Sequence, residues 1–301
     1  METLNNTAAI VVTYNRRELL RKCVEKILAQ ENACCDVLVV NNASSDGTEE
    51  MILSEFNMPR VKYFNTGSNL GSAGGFQYGV EKAVRMGYEY LWIMDDDVWP
   101  DLTALSELEK ADRELHGNWG FLSSIAYWQS DGSLCKANIQ KKALFTFVNE
   151  KDYEQEYIPV LIASFASLYI KAEVVKKVGL PVAEYFIYTD DYEYTSRISK
   201  YYKGYVVSSS TVQHAMKENK KADFAVEEKE RIYRYDYLYR NDVHCYRQYG
   251  IYGWLYIILK DCYTCINILK NSKADKLGKI KVVAKGFKEG LGFHPQIRMV
   301  E

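Results

Sequence analysis

YLWIMDDDVWP, residues 90–100, sets a short apolar run against three consecutive carboxylates. Leu91 to Met94 read as a buried strand, and Pro100 follows at once. In an extended chain alternate residues share a face, so Asp95 and Asp97 are expected to converge while Asp96 points away. Two carboxylates brought together repel, and one keeps its proton unless a cation comes between them. A hard divalent ion, Mn²⁺ or Mg²⁺, supplies such a cation and leaves places for phosphate oxygens. The alternative is a solvated acidic loop in which Asp101 caps the next helix.

Working outward, the segments before this one alternate. AAIVVTY (8–14), DVLVVNN (36–42) and VKYFN (61–65) read as strands. RELLRKCVEKILAQ (17–30) has helical periodicity, SSDGTEEMI opens a helix, and NLGSAGGFQYGVEKAVRMG (69–87) is a glycine-rich turn feeding another. Strands alternating with helices imply right-handed crossovers, an α/β class and a mostly parallel sheet. Ligands of such sheets bind beyond the carboxyl ends of the strands, where TYNRR, NNASSDG, NTGSNLGSAGG and DDDVWP would gather. Farther on, a helix near 101–115, a strand in WGFLSSIAYW, an Asp131-Gly132 turn, and one or two strands with a short helix over 158–181 are expected. TDDYEYTSRISKYYKG (189–204) reads as a helix ending at Gly204, and YVVSSSTVQHAM as a strand and loop.

From residue 222 the chain turns helical and tyrosine-rich, then lysine-rich, which predicts domains at 1–221 and 222–301. Lys260 and Asp261 interrupt the apolar run after Ile251, so no stretch reads as a membrane span. Two readings stay open: an interfacial helix with a basic flank, or a helical appendage packed on the main domain or on a second copy in a homo-oligomer. The net charge of −2 argues against a nucleic-acid partner. Seven cysteines without a paired framework, and no signal peptide, point to a reducing cytoplasm. Cys262 and Cys265 are spaced C-x-x-C, yet no second pair completes a zinc site.

VVTYNR, VNNASSDGT, NLGSAGGFQYG and MDDD, in this order, resemble glycosyltransferase family 2 over residues 8 to 216. The resemblance implies the GT-A fold, a Rossmann-like sheet flanked by helices, here with a helical C-terminal extension. It also implies a nucleotide-sugar donor, a UDP-sugar first, whose diphosphate meets a divalent metal at Asp95 and Asp97, with the first acidic position near the ribose. Asp96 lies in the same motif and joins the donor-binding candidates. Thr13, Tyr14 and Asn15 sit where they would frame a uracil, and Arg16 or Arg17 where a guanidinium would offset diphosphate charge. Asn42 stands about where the family often has an aspartate. Asp46 is as readily a turn or helix cap. Gly71, Gly74 and Gly75 allow close backbone approach to a ligand, or simply a tight strand-to-helix connection. Asn69 is placed to contact ribose or phosphate.

A second acidic cluster lies in FIYTDDYEYTSRI. An inverting transfer needs a carboxylate to take the acceptor hydroxyl's proton. Asp191 is the expected base, kept ionised by the helix dipole, with Asp190 binding acceptor hydroxyls or sharing the role; against this, Asp190 and Glu193 fit a capping arrangement. The D-D-x-E form resembles the galactofuranosyltransferase branch, in which a histidine placed like His214 ligates the metal. His116, His244 and His294 have no such context. Trp99, Tyr127, Trp128, Tyr185 and Tyr188 are candidates for stacking on sugars, with core packing the default.

The expectation is an inverting, metal-dependent enzyme moving galactofuranose from UDP-galactofuranose to a glycan acceptor in cell-surface polysaccharide synthesis. Its place would be peripheral, at the inner face of the membrane, if the acceptor is lipid-linked. The alternative within the class is a rhamnosyltransferase using dTDP-rhamnose; outside it stands a non-catalytic sugar-nucleotide binder or membrane adaptor. A phosphatase would want Thr or Val where Trp99 stands, and no G-x-G-x-x-G follows the first strand to suggest an oxidoreductase.

Overall fold

The computed structural model describes residues 5–300. β1 (Thr7–Thr13), β2 (Asp36–Asn41), β3 (Val61–Asn65) and β4 (Tyr90–Asp95) alternate with α1 (Arg17–Leu28), α2 (Thr48–Glu55) and α3 (Gly71–Arg85). These strands lie parallel in the order β3-β2-β1-β4. The chain therefore grows to one side of β1 and then returns to its other side. That reversal opens a crevice at the carboxyl ends of β1 and β4, the position at which doubly wound sheets bind ligands.

After β4 come β5 (Val98–Pro100), α4 (Ala104–Glu114) and β6 (Phe121–Trp128). A small ribbon of β7 (Lys141–Ala143) and β8 (Thr146–Phe147) follows, then β9 (Tyr157–Val160), β10 (Leu168–Lys171), α5 (Ala172–Val178), α6 (Asp190–Ile198) and β11 (Gly204–His214). The sheet continues β4-β10-β6-β11-β5, with β9 also on β11. β10 runs against β4 and β6, and β5 and β9 run against β11, so the sheet is mixed although most strands share one direction.

The period-two pattern splits β4 between two cores. Leu91 and Ile93 pack with Ile10, Val12 and α3, whereas Trp92 and Met94 pack with Val11 and the apolar faces of α1 and α4. α3 lies unusually close to β1: a Cβ on Gly75 would come within 2.5 Å of Val12 Cγ1. The expected helix over 189–204 is shorter than its pattern. It stops at Ile198, and Gly204 instead opens β11, where a Cβ would collide with the Phe121 ring.

α7 (Tyr233–Arg247), α8 (Gly250–Asn271) and α9 (Lys276–Gly292) complete the chain. Gly286 and Gly290 let α9 press against Tyr239 and Val243 of α7. The last residues return to the sheet domain, where Leu180 N–H donates to the Arg298 carbonyl (2.8 Å) and Arg298 pairs with Glu81 (3.2 Å). Among the described residues no helix is long and apolar enough to cross a membrane.

Candidate functional site

A cavity of about 670 Å³ opens at the crevice between β1 and β4. The loops after β1, β2, β3 and β4 all reach it: its lining includes Thr13, Tyr14, Arg16, Asn42, Asn69, Gly71 and the three aspartates. Asp190, Asp191 and His214 line it as well.

The aspartates do not sort by strand alternation. β4 ends at Asp95 and the chain turns at Asp96 and Asp97, so the period-two argument stops one residue too early. Thr13 Oγ1 donates to Asp96 Oδ2 (2.7 Å), and Arg16 Nη1 donates to both Asp96 Oδ1 (3.1 Å) and Asp97 Oδ2 (2.8 Å). Asp96 therefore belongs to the cluster, and a guanidinium of this chain bridges Asp96 and Asp97. His214 reaches the cluster because β11 pairs with β5, with His214 opposite Val98. Its Nε2 lies 3.2 Å from Asp97 Oδ1, while Nδ1 faces the Asn138 side-chain oxygen at 2.8 Å. That acceptor assigns a proton to Nδ1 and directs Nε2 at Asp97.

Burial drives the electrostatics. Burial, then the charge of Asp97, pushes the Asp95 carboxyl up to about 7. Burial outweighs Arg16 and lifts Asp96 to about 6. Asp97 goes the other way: burial would raise it, but the hydrogen bond and charge of His214 hold it below the usual carboxylate range. Burial works against charge on His214, yet Asp97 pushes its imidazolium up to about 10. Carboxylates thus outnumber Arg16 and His214 here, and among the described residues no side chain donates a hydrogen bond to the Asp95 carboxyl.

These side chains fit a divalent ion held in an open shell. Carboxylate oxygens suit Mn²⁺ or Mg²⁺, and an imidazole beside them favours Mn²⁺ of the two. Among the described residues no group of three His, Cys, Asp or Glu side chains is placed to hold a metal ion, so much of its shell would fall to water or phosphate.

Asp190 and Asp191 begin α6 across the cavity, and neither caps it. Thr189 holds the N-cap position without a side-chain capping bond, and Glu193 is committed to Arg197 (2.8 Å). Burial, then the charge of Asp191, raises Asp190 well above the usual carboxylate range. Burial also pushes Asp191 up to about 7, against the hydrogen bond from Tyr192 N–H and with the charge of Asp95. The helix dipole was expected to keep Asp191 ionised. Desolvation outweighs it.

Other expected contacts are spent on the scaffold. Asn15 Oδ1 accepts from Ser45 N–H (2.8 Å), and Asp46 accepts from the N–H groups of Arg17 (2.9 Å) and Thr48 (3.3 Å). Neither residue lines the cavity. Gly74 and Gly75 also lie outside its lining; they seat α3 against Leu70 and Val12, so close packing rather than a ligand explains them. Asn42 and Asn69 line the cavity, yet Asn42 Nδ2 donates to Gly71 O (2.9 Å) and Asn69 Oδ1 accepts from Gly71 N–H (2.9 Å). Of the stacking candidates only Tyr188 lines it. Trp99 lies under Lys22 (3.8 Å to the ring), Tyr185 bonds His244 Nδ1 (2.6 Å), and Trp128 donates to the Met216 carbonyl (2.7 Å).

Sequence reasoning missed the part of the site that α7 controls. Phe186, Tyr188 and Thr189 all have positive φ (62°, 67° and 68°), uncommon for residues with a Cβ. Asn241, fully buried, holds this segment: its Nδ2 donates to the carbonyls of Tyr185 (3.0 Å), Ile187 (3.0 Å) and Tyr188 (2.9 Å). Asp242 accepts from Thr189 Oγ1 (3.0 Å) and pairs with Lys260. The only sequence signal was an adjacent Asn-Asp pair in a tyrosine-rich helix.

The comparisons agree with this architecture. Galactofuranosyltransferase GlfT1 of Mycolicibacterium smegmatis is 36% identical over 101 residues, 33% of each chain. The match thus spans about a third of that relative's length. Staphylococcus aureus TarS 1-349, solved with UDP-GlcNAc, has a TM-score of 0.55 at 13% identity, covering 95% of this chain and 73% of that one. GalNAc-T7, solved with UDP, GalNAc and Mn²⁺, has a TM-score of 0.62 at 13% identity, covering 97% and 57%. These likenesses show a GT-A fold. The model of the family "Glycosyl transferase family 2" matches residues 8–174, more than half of the sequence, and the chain belongs to that glycosyltransferase family.

Proposed function

We propose that the protein is an inverting, metal-dependent glycosyltransferase that moves galactofuranose from UDP-galactofuranose to a glycan acceptor in cell-surface polysaccharide synthesis. One observation carries the reading: the strand-end aspartates and the Asp190–Asp191 pair face a single cavity large enough for a sugar nucleotide. The GlfT1 resemblance and the D-D-x-E form support the donor.

In this reading Thr13, Tyr14 and Arg16 receive the nucleotide. Asp95, Asp97 and His214 would hold the divalent ion, which when bound would supply positive charge for the donor's diphosphate. Asp191 takes the acceptor hydroxyl's proton; a carboxyl near 7 is half ready to accept one at neutral pH and holds it well enough to drive the transfer. Asp190, more strongly pushed toward its neutral form, serves as a hydrogen-bond donor to acceptor hydroxyls. Residues 1–221 would act as the transferase domain and 222–301 as the extension that fixes the acceptor side.

The extension also supports a peripheral site at the inner face of the membrane. Ile251, Leu255, Leu259, Ile266 and Leu269 form a stripe along α8, each 49–76% exposed, and lysines are frequent in α9. All seven cysteines are free thiols, which suits the cytoplasm.

The test is a panel of UDP- and dTDP-sugars with Mn²⁺, read by released nucleotide, with EDTA as control. UDP-galactofuranose should be the preferred donor and Asp191→Asn should abolish transfer while UDP still binds. Turnover with dTDP-rhamnose alone would reassign the donor. UDP binding without turnover of any sugar would make the chain a binder. For the extension, Leu255→Glu with Leu269→Glu should release the chain from anionic vesicles; a loss of self-association instead would assign the stripe to a second copy.

A further inference from the structure

The cavity extends past Asp191 into an annex walled by the β7–β8 ribbon, α7 and α8, and the charge there reverses sign. Lys141 begins β7 and is 2% exposed. Its Nζ donates to the phenol oxygens of Tyr246 (3.3 Å) and Tyr256 (3.0 Å), and it lies 4.8–5.4 Å from the ring centres of Phe147, Tyr192, Tyr246 and Tyr256. Among the described residues no carboxylate comes within ion-pair distance of it. Lys221 stands nearby, 4.0 Å from the Phe147 ring, and burial together with the charge of Lys141 lowers its affinity for a proton. Lys260 is the third ammonium, but Asp242 neutralises it.

Two lysines without an acidic partner thus face one aromatic-walled space, Lys141 buried within it and Lys221 exposed at its mouth. Each ring face offsets part of the cost of burying a cation. Like charges side by side still repel, and a charge removed from water calls for a counter-charge. Both phenols accept from Lys141, and among the described residues neither phenol proton has an acceptor, so each can donate onward. Two ammonium groups and two phenol O–H groups are a donor set for a tetrahedral oxyanion, whereas a neutral sugar would not require them.

We propose that Lys141 and Lys221, with the hydroxyls of Tyr246 and Tyr256, bind a phosphate group carried by the acceptor. Tyr192, whose ring touches Lys141, directly follows Asp191, so the phosphate lies beside the hydroxyl that attacks. This deepens the transferase reading and rests on it for the word acceptor. A lipid headgroup and a soluble phosphorylated glycan offer the same chemistry.

Calorimetry on the full chain in metal-free buffer tests it, with methyl phosphate, octyl phosphate and neutral octyl glucoside as probes, and UDP with Mn²⁺ in parallel. The two phosphates should bind and the glucoside should not. Lys141→Met should weaken phosphate binding about tenfold or more and leave UDP unchanged. Lys221→Met, at an exposed position where folding is not at stake, should weaken it in the same direction. Octyl phosphate held more tightly than methyl phosphate assigns the group to a lipid; equal affinity assigns it to a soluble glycan. Unchanged phosphate affinity in a folded Lys141→Met chain overturns the proposal, and so does a loss confined to UDP, which would give Lys141 to the donor. If wild type binds phosphates through Lys141 but never binds UDP, the transferase reading fails and the anion site stands.

Discussion

Asn241→Ala separates the role of α7 from that of a mere packing helix. The side chain is fully buried, and its amide nitrogen reaches three carbonyls of the segment that ends at Asp190. Arg240 donates to the Asn241 oxygen (2.9 Å), which fixes the direction of that amide. Truncation removes every one of these bonds. A buried acceptor left without a partner costs about 1–3 kcal/mol, and the carbonyls share two N–H groups, so the loss is about 3 kcal/mol if the segment keeps its shape. The segment also stores strain: three positive-φ residues with side chains, each about 1–2 kcal/mol above a relaxed conformation. Without the clamp, releasing that strain offsets the lost bonds, and the loop relaxes away from the geometry that aims Asp190 and Asp191. A displacement of about 1 Å at a reacting group costs about a hundredfold in rate. The variant should therefore lose much of its kcat, and its melting temperature should fall by a few degrees, at most about 5 °C in a chain of this size. UDP affinity with Mn²⁺ should not change, because Asn241 touches nothing in the strand-end cluster. Steady-state kinetics, thermal melts and UDP calorimetry on one preparation make the comparison. Wild-type kcat in an Asn241→Ala chain with a lowered melting temperature would refute the clamp and leave Asn241 a stability residue only.

His214→Ala should weaken Mn²⁺ binding measured with UDP present by about 10–100-fold and raise the Mn²⁺ concentration needed for turnover, whereas His116→Ala should not. Asp261 sits on α8 with both carboxylate oxygens buried and unpartnered, pushed up to about 7 by burial, then by Asp242, against Lys260. Its carboxyl stays protonated in the folded chain where the unfolded chain ionises, so stability falls as pH rises from about 4 through about 7 and the deficit is complete above that. Asp261→Asn should thus melt higher than wild type in mildly alkaline buffer and equal it in acid; a pH-independent difference would refute the assignment. Tyr194 buries a hydroxyl with no partner, so Tyr194→Phe should be neutral or stabilising by about 1 kcal/mol in a denaturant titration.

Local pattern settled a great deal by itself. An apolar run such as Leu91–Met94 makes a strand wherever it is buried, and alternation with amphipathic helices forces parallel crossovers, so the carboxyl-end loops must share one edge. That logic put Thr13, Asn42, Asn69, Gly71 and the aspartates beside one cavity before any coordinate was known. It could not divide the aspartates, because the turn after Asp95 cancels strand alternation. Nor could it separate glycines that face a ligand from Gly74, which faces Leu70, and Gly75, which faces β1. Tertiary structure decided what depends on contacts between distant segments: Arg16 across the Asp96–Asp97 pair, His214 delivered by β11, Asn241 gripping a backbone 53 residues away, and Lys141 enclosed by rings from α7 and α8. It also reversed the sign expected at Asp191. A helix dipole is written in local sequence, whereas desolvation is set by everything packed around a group, and in this cavity desolvation is the larger effect.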